Sequence, residues 1–136
     1  MNTLVDSNVL IDLIVEDPVW AGWSHQSIER ASADGDVLVN PLIYAELSAG
    51  PLDQSELDAC LRQLRIKRCS LPWDAAFPTG KAFRQYRRAG GEKRSPLPDF
   101  YIGAHAEAAG LTLLTRDARR FQTYFPKLSL ISPPQA

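Results

Sequence analysis

The sequence predicts an α/β fold: a parallel sheet with helices on both faces. Three observations carry this. Apolar runs of strand length alternate with helical repeats along the whole chain. Leu4-Val5 and Val37-Leu38-Val39 are continuously apolar, as strands covered on both faces are. Helix-capping residues stand between the runs, notably Asn40-Pro41 and Gly110. The 136 residues suit one domain, 1–136, with a proper core.

Thr3–Asp6 reads as the first strand, with Asp6 at its carboxyl end. Ser7 is placed to cap a helix in which Val9, Leu10, Leu13 and Ile14 recur at helical spacing. Asp17-Pro18 breaks it and starts a second helix, through Trp20, Trp23, Ser27, Ile28 and Ala31 to about Gly35. Trp20 and Trp23 read as core rather than interface. Val37–Val39 is the second strand. Asn40 caps a helix over Pro41–Ser48, and Asp53 or Ser55 caps the next, Gln54–Arg65, with Leu57, Cys60, Leu61 and Leu64 on one stripe. Cys69–Leu71 reads as a weak third strand. Asp74 opens a helix to Arg88, and Glu92–Pro98 is a charged loop. A helix over Asp99–Ala109 ends at Gly110. Leu111–Thr115 is the fourth strand, Asp117 caps a short helix containing Phe121, and Leu128–Ile131 is the last strand.

Composition excludes several classes. No run approaches the roughly 18 apolar residues of a membrane span. The N-terminus has no basic segment before an apolar run, so a cytoplasmic protein is expected. Cys60 and Cys69 are too few and too poorly spaced for zinc or a disulfide framework. Of the two histidines, His105 reads as a packing residue and His25 as surface. Net charge is −1, yet Lys81, Arg84, Arg87, Arg88, Lys93 and Arg94 crowd one segment against the single acid Glu92. Lys81, Arg84, Arg87 and Arg88 share a helix face, which suits a nucleic-acid backbone as well as a plain solvated surface.

Four acids stand apart. Asp6 ends an apolar strand, Glu46 lies inside the apolar helix Ile43-Tyr44-Ala45-Glu46-Leu47, Asp99 opens a helix, and Asp117 follows the fourth strand. Taken singly, Asp99 and Asp117 read as helix caps and Glu46 as a partner for a nearby arginine. Taken together, the four lie where an open α/β sheet binds ligands, at the carboxyl ends of its strands. Two carboxylates about 4 Å apart repel by roughly 4 kcal/mol at an effective dielectric of about 20. Their neighbours are hydroxyls and amides (Ser7, Asn8, Thr115), which favours Mg2+ or Mn2+ over softer metals. Such ions stabilise the attacking water and the leaving oxygen of phosphodiester hydrolysis.

Four motifs then carry a resemblance: Val5-Asp6-Ser7-Asn8-Val9-Leu10, Tyr44-Ala45-Glu46-Leu47, Pro98-Asp99-Phe100-Tyr101-Ile102-Gly103-Ala104-His105-Ala106, and Leu114-Thr115-Arg116-Asp117-Ala118-Arg119-Arg120-Phe121. In this order the chain resembles the PIN-domain nucleases, most closely the VapC-type toxin ribonucleases of bacterial type II toxin–antitoxin systems. The resemblance implies a three-layer α/β/α fold with a five-stranded parallel sheet in the order 3-2-1-4-5. It implies a Mg2+- or Mn2+-dependent endoribonuclease with Asp6, Glu46, Asp99 and Asp117 as the acidic set. Asp6 and Asp99 would be the principal ligands, Asp117 would assist, and Glu46 would orient or deprotonate the water. Ser7, Asn8 and Thr115 match the polar neighbours of these acids, and Arg116 joins the basic residues as an RNA contact. The resemblance also implies a homodimer and a small antitoxin protein in an apolar groove, here expected between Pro41–Ser48 and Gln54–Arg65. Two other readings are open. One is a haloacid-dehalogenase-like phosphatase, against which Asn8 stands where its second Asp is required. The other is a PIN module that binds nucleic acid without cutting it.

Overall fold

The computed structural model describes residues 1–91 and 96–134. Lys93 and Arg94 lie outside them. Five short strands form one parallel sheet: β1 (Thr3–Val5), β2 (Val37–Val39), β3 (Ile66–Arg68), β4 (Thr112–Leu114) and β5 (Leu130–Ile131). Their order is β3-β2-β1-β4-β5, as the resemblance implies. Seven α-helices are described: α1 (Ser7–Ile14), α2 (Ala21–Asp34), α3 (Pro41–Ser48), α4 (Gln54–Gln63), α5 (Ala76–Arg88), α6 (Leu97–Ala109) and α7 (Ala118–Tyr124). None is long and apolar enough to cross a membrane.

The sheet is central and dry. Leu4, Val5, Leu113 and Leu114 are fully buried, and Val37 and Val39 are nearly so. Strand order reverses between β1 and β4, whose register pairs Val5 with Leu114. The next residues, Asp6 and Thr115, therefore emerge side by side, and Asp6 N donates to Leu114 O at 2.8 Å. That is the crevice in which an open sheet binds its ligand.

Local chemistry explains most boundaries. Asn40 Oδ1 accepts from Ile43 N at 2.9 Å and Pro41 fills the first helical position of α3. Asp53 and Glu56 form a reciprocal capping box on α4. Asp17 Oδ1 accepts from Val19 N and Trp20 N, turning the chain into α2. Gly110 ends α6 in the left-handed region, at φ 66°.

Four expectations are corrected. Strand three is Ile66–Arg68, because Arg65 adopts φ 62° right after α4 and turns the chain at once onto β2. Only Ile66 of that edge strand is buried, so it lacks the apolar run that marks the others. The α1 cap is Asp6, whose side chain accepts from Ser7 N; Ser7 is the first helical residue. Asp74 lies in a 3-10 turn, Trp73–Ala75, and α5 starts after it. Asp117 precedes α7 without a side-chain capping bond.

Trp20 and Trp23 meet edge to face, 6.4 Å between centroids, and both are half-buried. His105 is buried as expected, with Nδ1 3.0 Å from Asn40 Nδ2. Since Asn40 Oδ1 already caps α3, the amide donates to a neutral imidazole. Burial holds the pKa of His105 below its usual value.

Candidate metal centre

Asp6 is delivered by β1 and fixed by α1. One carboxylate oxygen accepts from Ser7 N at 2.8 Å. The other accepts from Thr115 Oγ1 at 2.8 Å and from Asn8 Nδ2 at 3.4 Å. The side chain is buried, with 5% of the residue exposed. Desolvation is the main reason its pKa rises from 3.8 to about 7; Asp99 and Glu46 push it further up, against the hydrogen bonds from Thr115 and Ser7.

Glu46 arrives on α3, which Ile43 and Leu47 seat in the core. Its Oε1 accepts from Ser7 Oγ at 3.1 Å. Half-burial raises its pKa, assisted by the charge of Asp99 and opposed by the Ser7 hydroxyl. Asp99 is the third residue of α6, in its first turn, where the helix dipole favours a carboxylate. Phe100, next in sequence, is fully buried and anchors that turn.

Asp6, Glu46 and Asp99 each bring a carboxylate oxygen within 4.8 Å of the others. Three acids from three separate elements thus converge, with hydroxyl, amide and backbone N–H donors on Asp6 and Glu46 and the guanidinium of Arg120 on Asp99. The donor set is all oxygen, Asp6 is held near neutrality by burial, and two acids are partly open to solvent. Such a site suits a hard divalent cation, whose charge would offset the repulsion among the carboxylates.

Asp117 does not join the three. Its side chain is exposed, and its backbone N donates to Thr115 Oγ1 at 3.0 Å. Ser7, Asn8 and Thr115 do stand beside the acids. Thr115 Oγ1 links Asp117 N to Asp6, and Asn8 accepts from Arg116 N at 3.3 Å. Arg116 is committed elsewhere: its Nε lies 2.8 Å from Asp12 Oδ2, and its guanidinium stacks 5.0 Å from the Trp20 centroid.

Lys81, Arg84, Arg87 and Arg88 are all exposed on α5. Tyr86 and Phe100 meet edge to face at 5.6 Å, setting the last turn of α5 beside the first turn of α6, next to Asp99. Trp73 and Phe77, 89% and 73% exposed, continue the same stretch towards its N-terminus.

Two residues of this region escape sequence reasoning. Asp12 is a buried acid in the apolar helix Val9-Leu10-Ile11-Asp12-Leu13-Ile14, the same signal that singles out Glu46. Arg120, whose Nη1 donates to Asp99 Oδ2 at 2.5 Å, carries no local signal at all. Of the two helices expected to wall an antitoxin groove, α3 lines a cleft. An apolar cleft of about 440 Å3 is lined by α3 and by Val39, Arg68 and Cys69 of the β2 and β3 ends, with no residue of α4.

Comparison with known proteins fits this geometry. The family model described as "PIN domain" matches residues 3–125. Among solved structures, VapBC2 from Rickettsia felis, bound to a DNA fragment from its promoter, superposes with a TM-score of 0.76 at 21% identity, covering 98% of this chain and 100% of the other. VapBC-1 from nontypeable Haemophilus influenzae gives 0.72 at 18%, covering 97% and 98%. A toxin–antitoxin complex from Klebsiella pneumoniae gives 0.69 at 21%, covering 98% and 99%. No curated protein matches by sequence.

Proposed function

Because this chain belongs to the PIN-domain family of nucleases, we propose that it is a Mg2+- or Mn2+-dependent endoribonuclease, the toxin of a toxin–antitoxin pair. The observation that carries this reading is the convergence of Asp6, Glu46 and Asp99 within 4.8 Å at the sheet's switch point.

Asp6, Glu46 and Asp99 would hold the ion. When bound, it would supply Lewis-acid polarisation of the phosphate and a more acidic attacking water. The residues around it have separate tasks. Thr115 and Ser7 N fix both oxygens of Asp6 before any ion arrives, so the ligand costs little to orient. Ser7 Oγ holds Glu46 at one oxygen, leaving the other for the ion or for a water beside it. Asp117, exposed beside Thr115, would assist from the outer side of the site.

RNA is the proposed substrate. The basic last turn of α5 lies beside the site, and the exposed rings of Trp73 and Phe77 offer stacking surfaces for unpaired bases. Lys93 and Arg94 extend this basic stretch in the sequence. A small antitoxin is the proposed inhibitor, a partner that the VapBC complexes among the structural neighbours support, and the α3 cleft is its proposed seat. A homodimer and a cytoplasmic location complete the proposal.

The test is direct. Purified protein should cleave RNA with Mg2+ or Mn2+, stop on EDTA addition, and fail as Asp6→Asn. Cleavage that survives Asp6→Asn would refute the site. Tight RNA binding without cleavage under any divalent ion would leave a binding module instead.

A further inference from the structure

Asp99 enters the site already paired. Arg120 of α7 reaches back to α6, and its Nη1 donates to Asp99 Oδ2. The pair lies at the rim, with 36% of the Arg120 side chain and 29% of Asp99 exposed. Two features separate it from an ordinary surface ion pair. Its acid is one of the three converging carboxylates. Its cation is seated by the core: Phe121, the next residue, and Phe125 are buried against α6 at Gly103, where a Cβ would come within 3.0 Å of both rings.

We propose that Arg120 is the resident cation of this site: it holds Asp99 until a divalent ion claims that carboxylate, and then contacts the phosphate chain bound beside it. This rests on the metal-dependent nuclease reading above. A guanidinium and a divalent ion draw on the same lone pairs, so they compete for Asp99. The empty site gains from the guanidinium, which offsets repulsion among three acids. Once released, the planar donor fork suits a phosphate as well as a carboxylate. The buried Phe121 keeps Arg120 at the rim, where a phosphate would lie.

Calorimetric titration with Mn2+ of the full chain, as wild type, Arg120→Gln and Asp6→Asn, tests the competition. A fluorescein-labelled single-stranded RNA, titrated in EDTA and in Ca2+, tests the handover. Arg120→Gln should bind Mn2+ about two- to fivefold more tightly. Its RNA affinity should fall about tenfold with Ca2+ and change little in EDTA. Should Arg120→Gln melt below the assay temperature, Arg120→Lys takes its place, with both shifts smaller and in the same directions. Unchanged or weaker Mn2+ binding overturns the proposal, as does an equal loss of RNA affinity with and without the ion. A wild type that binds no Mn2+, or an Asp6→Asn that binds it equally well, instead refutes the metal site itself.

Discussion

Arg116 and Asp12 close an ion pair across 104 residues of sequence, Nε to Oδ2 at 2.8 Å, with Asp12 almost wholly buried. Ser24 Oγ adds a bond to the same carboxylate at 2.9 Å, so α1, α2 and the β4–α7 turn meet at one acid. That turn carries Thr115, and Thr115 holds Asp6. Asp12→Ala should therefore cost about 2–3 kcal/mol in denaturant unfolding, at the lower end for a broken buried pair because Arg116 reaches solvent. Arg116→Ala should cost at least as much, since it leaves the more deeply buried partner, Asp12, without its cation. If Asp12→Ala unfolds like the wild type, the pair contributes nothing to stability.

The raised pKa of Asp6 makes metal-free stability depend on pH, and the sign follows from proton binding. Below about pH 4 the acid is protonated in both states. Between its usual 3.8 and about 7, only the folded protein keeps the proton, so stability falls as pH rises. Above that range both states are ionised and the loss, on the order of 4 kcal/mol, is complete. Asp6→Asn in EDTA should lack this decline and be the more stable protein at pH 8, while losing cleavage. Excess Mg2+ should restore the wild type and not the variant. Parallel stability curves from pH 4 to 8 would contradict the assignment.

Asp117 offers a graded comparison. With its side chain outside the three-acid group and its backbone tied to Thr115, Asp117→Asn should lower kcat by about 10- to 100-fold, as loss of a supporting residue does. Asp6→Asn should leave no measurable rate. Equal losses in the two variants would place Asp117 on the metal.

Gly103 sets how closely α7 approaches α6. A Cβ there would stand 2.7 Å from the Phe125 ring and 3.0 Å from Phe121. Gly103→Ala should gain about 1 kcal/mol in helix propensity and lose about 1–3 kcal/mol to overpacking, for a modest net loss in thermal unfolding. A stabilised variant would mean that the rings shift freely.

Reversing charge at Arg84, Arg87 and Arg88 should weaken RNA binding and flatten its dependence on salt. The log–log slope should fall by roughly 0.7 for each phosphate of a single strand that is no longer neutralised. An unchanged slope would make this face a plain solvated surface.

Asp6 and Glu46 are legible because each breaks the burial pattern of its own element, a charge ending an apolar strand and an acid in an apolar helix, whereas Asp99 reads singly as a cap and gains its meaning only from the set. Strand order is legible only through family resemblance. The remainder depends on pairings that leave no local trace. Arg116 reads as a free cation until folding supplies Asp12, and Arg120 until folding supplies Asp99. Strand three escapes because an edge strand needs only one buried residue, Ile66. Asp117 does not converge because its direction is set by the backbone of a short turn, which spacing alone does not determine.

The bond between Asn40 and His105 has a further consequence. Asn40 starts the helix that brings Glu46, and His105 lies six residues beyond Asp99 on the helix that brings that acid. A neutral tie, indifferent to ionic strength, therefore holds two mutually repelling groups at a fixed span. The frame that sets the spacing of Glu46 and Asp99 is thus tied by uncharged parts. A softer frame, as in Asn40→Ala, would let the acids drift apart and weaken ion binding without touching a single ligand.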